Sequence, residues 1–216
     1  MSRILCQQCH RPSKGCICDY IISVENTVPV IVLQHPKEVN HTKGTIGLLV
    51  NSLSNCQLII GENFTDNYKL NELLSTFNPL LLYPSEQAKI LPMLTEPKNQ
   101  LNKQSNGNVT EIDNKTCLLI LDGTWKKAYR MLMLSQNLQS IPHVCLPQEF
   151  ANSGEYIIRK VAKANALSSL EATCYALALL ESYSHNQPLS HTLIHYQPLL
   201  NKFAQFNQFQ LSFRPQ

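Results

Sequence analysis

Charge is scarce in this chain. Only 15% of its 216 residues are Asp, Glu, Lys or Arg, and the net charge is +3. A balance that small does not by itself argue for nucleic-acid binding. Long apolar runs are missing as well. The longest near-apolar stretch, Ala172 to Leu180, is far shorter than a membrane span and reads as a buried helix. The opening Met1-Ser-Arg3-Ile-Leu-Cys6 has neither the apolar run nor the cleavage site of a secretory signal, so a cytoplasmic, reducing setting is expected. In that setting the eight cysteines are metal ligands or core residues, not disulfides. No Gly-x-Gly-x-x-Gly follows the first strand pattern, which removes a standard dinucleotide site. Walker A, His-Glu-x-x-His and nucleophile-elbow motifs are missing too.

Tryptophan occurs once, and its place is the most informative in the chain. The apolar run Cys117 to Leu121 ends in Asp122-Gly123-Thr124-Trp125, and Lys126 to Leu132 then has helical spacing. A strand that ends in a carboxylate, a glycine turn and a hydroxyl before a helix start is a site geometry, because ligands of open α/β sheets bind at the carboxyl ends of strands. A Thr-capped helix with Asp122 as a turn residue explains the Asp, Gly and Thr but leaves the Trp unaccounted for.

Strand and helix patterns alternate along the chain. Val28 to Leu33, Cys56 to Ile60, Leu80 to Tyr83, Cys117 to Leu121 and His143 to Leu146 read as strands. Helices are expected from a Thr42 cap to about Asn55, from Tyr68 to Phe77, after Trp125, and from Leu193 onward. Ser168-Ser-Leu-Glu171 is a capping box that opens an apolar helix to about Tyr183. Residues 95–114 are polar and aperiodic and read as a surface insertion. Tyr156 to Arg159 is a short strand or a turn. The expected fold class is α/β, a mostly parallel sheet with helices on both faces.

Four cysteines fall within thirteen residues, Cys6-x-x-Cys9 and Cys16-x-Cys18, separated by a turn holding Pro12 and Gly15. Two close pairs of this kind can surround one tetrahedral ion, and zinc is the expected metal. The second pair is tight, and His10 stands beside the group as an alternative ligand. The site would be structural, and metal binding would supply most of the folding free energy of so short a segment. Residues 1–25 are therefore expected as a zinc knuckle and 26–216 as the main domain.

The remaining candidates lie at strand ends. Gln34-His35-Pro36 closes the first strand and Tyr83-Pro84-Ser85 another; a lone His there is more often a hydrogen-bonding residue than a catalyst. Arg11, Lys14, Lys126, Lys127, Arg130 and Arg159 form two basic stretches that could track a phosphate backbone or simply face water.

Taken in order, Cys6-x-x-Cys9…Cys16-x-Cys18, Gln34-His35-Pro36-x-Glu38, Tyr83-Pro84, Asp122-Gly-Thr-Trp125 and Tyr156-x-x-Arg159…Leu167-Ser-Ser-Leu-Glu171-Ala172 resemble the pattern of DTW-domain proteins, which are tRNA-uridine aminocarboxypropyltransferases. The resemblance runs from Cys6 to about Ala178; Ser169 stands where the family usually has Thr, which keeps the hydroxyl. It implies a SPOUT-related domain with a trefoil knot in the second half of the sheet. It implies S-adenosylmethionine as donor of a 3-amino-3-carboxypropyl group, N3 of a tRNA uridine as acceptor, and methylthioadenosine as by-product. Donor-binding residues would then be Gln34, His35, Tyr83, Pro84, Asp122, Gly123, Thr124, Leu167, Ser168, Ser169 and Glu171. Asp122, Thr124 and Trp125 would be catalytic, with Asp122 either the base or the grip on the donor's ammonium. Cys6, Cys9, Cys16 and Cys18 would hold structural zinc. The rivals are a knotted RNA methyltransferase, the same transfer to ribosomal RNA, and a non-catalytic zinc-knuckle RNA-binding protein.

Overall fold

The structure is a computed structural model that describes residues 4–39, 44–93, 112–151 and 167–212. The strands are β1 (Val30–Gln34), β2 (Cys56–Ile60), β3 (Asn78–Leu82), β4 (Lys89–Ile90), β5 (Thr116–Asp122) and β6 (His143–Cys145). The helices are α1 (Ile46–Ser52), α2 (Tyr68–Thr76), α3 (Trp125–Leu134), α4 (Gln136–Gln139), α5 (Gln148–Ala151), α6 (Ser169–Ser184) and α7 (Leu189–Leu211). The six strands form one sheet in the order β2-β1-β5-β3-β6-β4, and every neighbouring pair is parallel.

Parallel strands buried on both faces call for a near-continuous apolar run, and β5 has one from Cys117 to Leu121; all seven of its residues, with Thr116 and Asp122 at the two ends, are buried. Their side chains alternate between two cores. Val30, Val32, Leu118 and Ile120 pack with α1, α6 and α7, whereas Ile31, Leu33, Leu119 and Leu121 pack with Leu70 of α2, Met131 and Leu132 of α3, and Leu138 of α4. Helices therefore cover both faces, as expected. The buried Glu181 of α6 accepts hydrogen bonds from the amides of Thr27 (2.7 Å) and Val28 (3.2 Å) and from the Tyr196 hydroxyl (2.7 Å), which pins the entry to β1 against α6 and α7.

The sequence expectations for β1, β2, β3, β5 and β6 agree with the structure to within about two residues. Helix α1 begins only at Ile46, and Thr45 at its N-cap makes no side-chain cap bond; Thr42 lies outside the described residues. Most of the 95–114 insertion and all of Tyr156–Arg159 also lie outside them. The two-residue β4 and the one-turn α4 are too short to leave a periodic signal. No helix among the described residues is long and apolar enough to cross a membrane.

Candidate active site

Asp122 is the last residue of β5 and lies opposite Gln34, the last residue of β1. Its side chain is buried, with only 6% of the residue exposed. Gln34 Nε2 donates to Oδ2 at 2.9 Å, and Ser169 Oγ, at the first position of α6, donates to Oδ1 at 3.2 Å. Three segments far apart in sequence thus meet on one carboxylate. The position of Ser169 is set by its neighbours, because the Ser168 amide donates to Glu171 Oε2 (2.8 Å) and the Glu171 amide to Ser168 Oγ (3.2 Å). This is the expected capping box, and it fixes the start of α6 over the sheet edge. Leu167, just before it, is half-buried.

Beyond Asp122 the chain turns sharply. A Cβ on Gly123 would lie 3.0 Å from Lys127 Cβ, so glycine lets the turn approach α3 closely without crowding it. Thr124 is exposed and its Oγ1 accepts from the Lys127 amide at 3.4 Å, the N-cap role. The Trp125 ring stands edge-on to Tyr83 at 6.2 Å, and Tyr83 edge-on to His143 at 5.7 Å. Burial, with the nearby Tyr129 phenol second, pushes the Tyr83 hydroxyl up. Pro84 is exposed beyond it, and Ser85 Oγ meets His143 Nδ1 at 2.7 Å.

On the other side of Gln34, His35 is buried. The Lys37 amide donates to its Nδ1 at 3.1 Å, so the proton of the neutral ring sits on Nε2, which faces Glu62 Oε1 at 3.2 Å. Glu62 also receives Arg130 Nε at 2.9 Å, and Lys127 Nζ meets the buried Glu38 at 2.6 Å. Helix α3 therefore lies across the carboxyl ends of β5, β1 and β2. Two of the cations expected to meet RNA, Lys127 and Arg130, are tied to acids of the body, while Lys126 is exposed.

Glu62 and His143 also line this region, against His35 and Arg130 and against Tyr83 and Ser85, and the sequence did not single them out. Glu62 was within reach of the same rule that marked Asp122, a strand followed by Gly61 and an acid. His143 carried no such mark, since it lies at the start of its strand.

The N-terminal cysteines form the expected metal-ligand set. The sulfurs of Cys6, Cys9, Cys16 and Cys18 all lie within 4.8 Å of one another, with Cys6–Cys18 at 3.6 Å and Cys9–Cys16 at 3.7 Å. A tetrahedron of Zn–S bonds of about 2.3 Å has edges of about 3.8 Å, so four thiolates here fit zinc. The amides of Cys9 and Gln8 pull the Cys6 thiol down to about 6, while burial and the crowded sulfurs push Cys18 up to about 12. His10 falls outside the ligand group and sits in the turn at φ 54. Ile17 joins the main core and the Tyr20 ring lies tilted against Phe206 at 5.4 Å, so the knuckle is packed onto α7. Arg11 is turned the same way: it donates to the Gly44 carbonyl at 2.8 Å and lies over the Phe206 ring, and burial lowers its pKa. The side chain of Lys14 and the whole of Arg159 lie outside the described residues.

Comparison with known families matches residues 3–211 to the DTW domain, and the chain belongs to that family. It is 26% identical over 190 residues to tRNA-uridine aminocarboxypropyltransferase 2 of Macaca fascicularis, covering 84% of this chain and 58% of that protein. The Mus musculus protein of the same name is 26% identical over 203 residues, covering 88% and 59%. The Drosophila melanogaster one is 29% identical over 204 residues, covering 89% and 74%. The chain thus spans less than two thirds of the length of the two mammalian relatives. No solved structure gives a significant match.

Proposed function

We propose that this protein transfers the 3-amino-3-carboxypropyl group of S-adenosylmethionine to N3 of a uridine in tRNA. The observation that carries the reading is the buried Asp122 carboxylate, held at the sheet edge by Gln34 and Ser169. The names of the relatives support the coarser part of this reading, transfer of an aminocarboxypropyl group to a tRNA uridine. In the transfer a bond forms between uracil N3 and the side-chain carbon next to sulfur. The carbon–sulfur bond breaks, and its electron pair leaves with sulfur as neutral methylthioadenosine. The N3 proton passes to solvent.

Asp122 acts in this reading as the anionic anchor of the donor's cationic groups. Two donors are aimed at its oxygens, an arrangement suited to a carboxylate that stays charged. Thr124 and the amides at the start of α3 accept the donor's carboxylate. Gln34 and Ser169 hold Asp122; His35, Ser168 and Glu171 act by fixing the loops around it, and Tyr83, Pro84 and Leu167 wall the donor. Trp125 stacks on a base. Lys126 and Arg130, and with them Arg11, Lys14, Lys127 and Arg159, are the cations this reading assigns to the positive field for tRNA. The uridine is unpaired or flipped when it reacts.

Zinc on Cys6, Cys9, Cys16 and Cys18 supplies folding energy and no catalysis. A SPOUT-related trefoil knot belongs to the same proposal, as does a cytoplasmic setting. The test is to incubate the protein with S-adenosylmethionine and unmodified tRNA and analyse nucleosides and small products by mass spectrometry. Methylthioadenosine with a modified uridine is expected. S-adenosylhomocysteine would make it a methyltransferase, and no product with any tRNA would leave an RNA-binding protein.

A further inference from the structure

We propose that the outward side of α3 is a docking strip for single-stranded RNA, with Tyr129 as the stacking platform for the nucleotide beside the one that reacts. The inference rests on the reading of RNA as acceptor, and it adds a residue and a direction to that reading.

The helix buries one side and leaves the other bare. Ala128, Met131 and Leu132 pack on the sheet, whereas Trp125, Tyr129 and Met133, four residues apart, are 61%, 56% and 46% exposed. Two large aromatics and a methionine in one row along a helix make a contiguous exposed apolar patch, and such patches mark interaction sites. Their place is also particular. The Lys127–Glu38 and Arg130–Glu62 pairs and the bond from Thr65 Oγ1 to the Leu134 carbonyl lay α3 along the carboxyl ends of three strands. The strip therefore starts at the Asp122 turn and leads away from it toward β2.

Charge identifies the occupant. Every charged residue of α3 is a cation, namely Lys126, Lys127 and Arg130. Glu38 and Glu62 answer two of them, and Lys126 has no ion pair among the described residues. A partner for this face must offer flat apolar surfaces and negative charge together. A single-stranded nucleic acid does so, since every base has a π-face and every linkage a phosphate. A second copy of the chain would bring like charges face to face. Rings four residues apart are separated by about 6 Å along the helix, close enough for neighbouring nucleotides.

The sole tryptophan makes the strip observable. The full chain is titrated with a uridine-rich oligoribonucleotide of about eight nucleotides, within the usual site size for such surfaces. Trp125 fluorescence and the anisotropy of an end label are read together. The oligonucleotide is expected to quench Trp125, and its duplex to bind without quenching. Tyr129→Ala is expected to weaken binding roughly 5- to 100-fold, the range for loss of one stacked base, while Tyr129→Phe retains it. Binding of S-adenosylmethionine and the melting temperature should not change in Tyr129→Ala. Unaltered RNA affinity in Tyr129→Ala would overturn the inference. So would a doubled mass of the wild-type chain in light scattering that Tyr129→Ala halves, which would make the face a protein interface. If methylthioadenosine forms but Tyr129 is indifferent, this inference falls alone. If RNA binding depends on Tyr129 and no methylthioadenosine appears, the transferase reading falls alone.

Discussion

Gln34 and Asp122 end two adjacent parallel strands at the same level, and the amide of the first donates to the carboxylate of the second at 2.9 Å. That bond crosses 88 positions of sequence, and it fixes the direction of the carboxylate. Ser169 holds the other oxygen from α6. A pre-oriented anion needs no rearrangement to meet a sulfonium or ammonium, the condition under which an electrostatic contact contributes most.

Asp122→Asn keeps the shape and removes the charge. If Asp122 anchors the donor, the Kd for S-adenosylmethionine rises roughly 10- to 100-fold, as for loss of a charged hydrogen-bond partner. Calorimetric titration measures it. Unchanged donor affinity with a collapsed kcat would instead assign Asp122 to proton removal.

Lys126 and Lys127 are neighbours with opposite expected phenotypes. Lys127→Ala takes the ammonium from the buried Glu38 and should cost about 1–3 kcal/mol, a fall in Tm of about 2–12 °C. Lys126→Ala should leave Tm within error. It should weaken tRNA binding and reduce the salt dependence by about one phosphate contact. Thermal melts and salt series of both variants decide the matter.

Metal analysis of the purified protein should find one zinc per chain. Cys6→Ser and Cys16→Ser should lose it, and a chelator should lower the stability of the wild type. Stabilisation by a metal at a thousandfold excess over its Kd is about 4 kcal/mol. Because Ile17 and Tyr20 of the knuckle are part of the main packing, the loss should appear in the global melt and not as a separate early transition.

His143 should make stability depend on pH. Burial lowers its pKa below 6.5, so the unfolded chain takes up a proton that the native ring refuses. Its contribution is therefore whole above 6.5 and is lost as pH falls through the lowered native value. Urea unfolding at about pH 7.5 and about pH 5.5, compared between the wild type and His143→Asn, should show the smaller acid loss in the variant. Equal losses would remove His143 from the account.

Much of the site was legible because its signals are local. Asp122-Gly-Thr-Trp125 follows an apolar run directly, Ser168 and Glu171 are three apart in a capping box, and the four cysteines lie within thirteen residues. What depends on pairing was not legible. No local pattern says that β5 enters between β1 and β3, and only that insertion brings Gln34 to Asp122. The cations of α3 looked like one basic stretch; that Lys127 and Arg130 meet Glu38 and Glu62 follows from where α3 lies over the sheet. The hydroxyl of Ser169 looked like part of a helix cap, yet it reaches a carboxylate 47 positions away.

The order of the strands has a mechanical corollary. Strands β1 to β4 precede the polar stretch near residue 100 and β5 and β6 follow it, yet across the sheet the two groups alternate, β5 between β1 and β3, β6 between β3 and β4. A single protease cut in that stretch would leave two pieces that share every hydrogen-bonded seam at the centre of the sheet. Neither piece could leave without unzipping the other, so a nicked molecule should stay assembled. The same interleaving should let the halves, made as separate polypeptides, rebuild the site only by folding together.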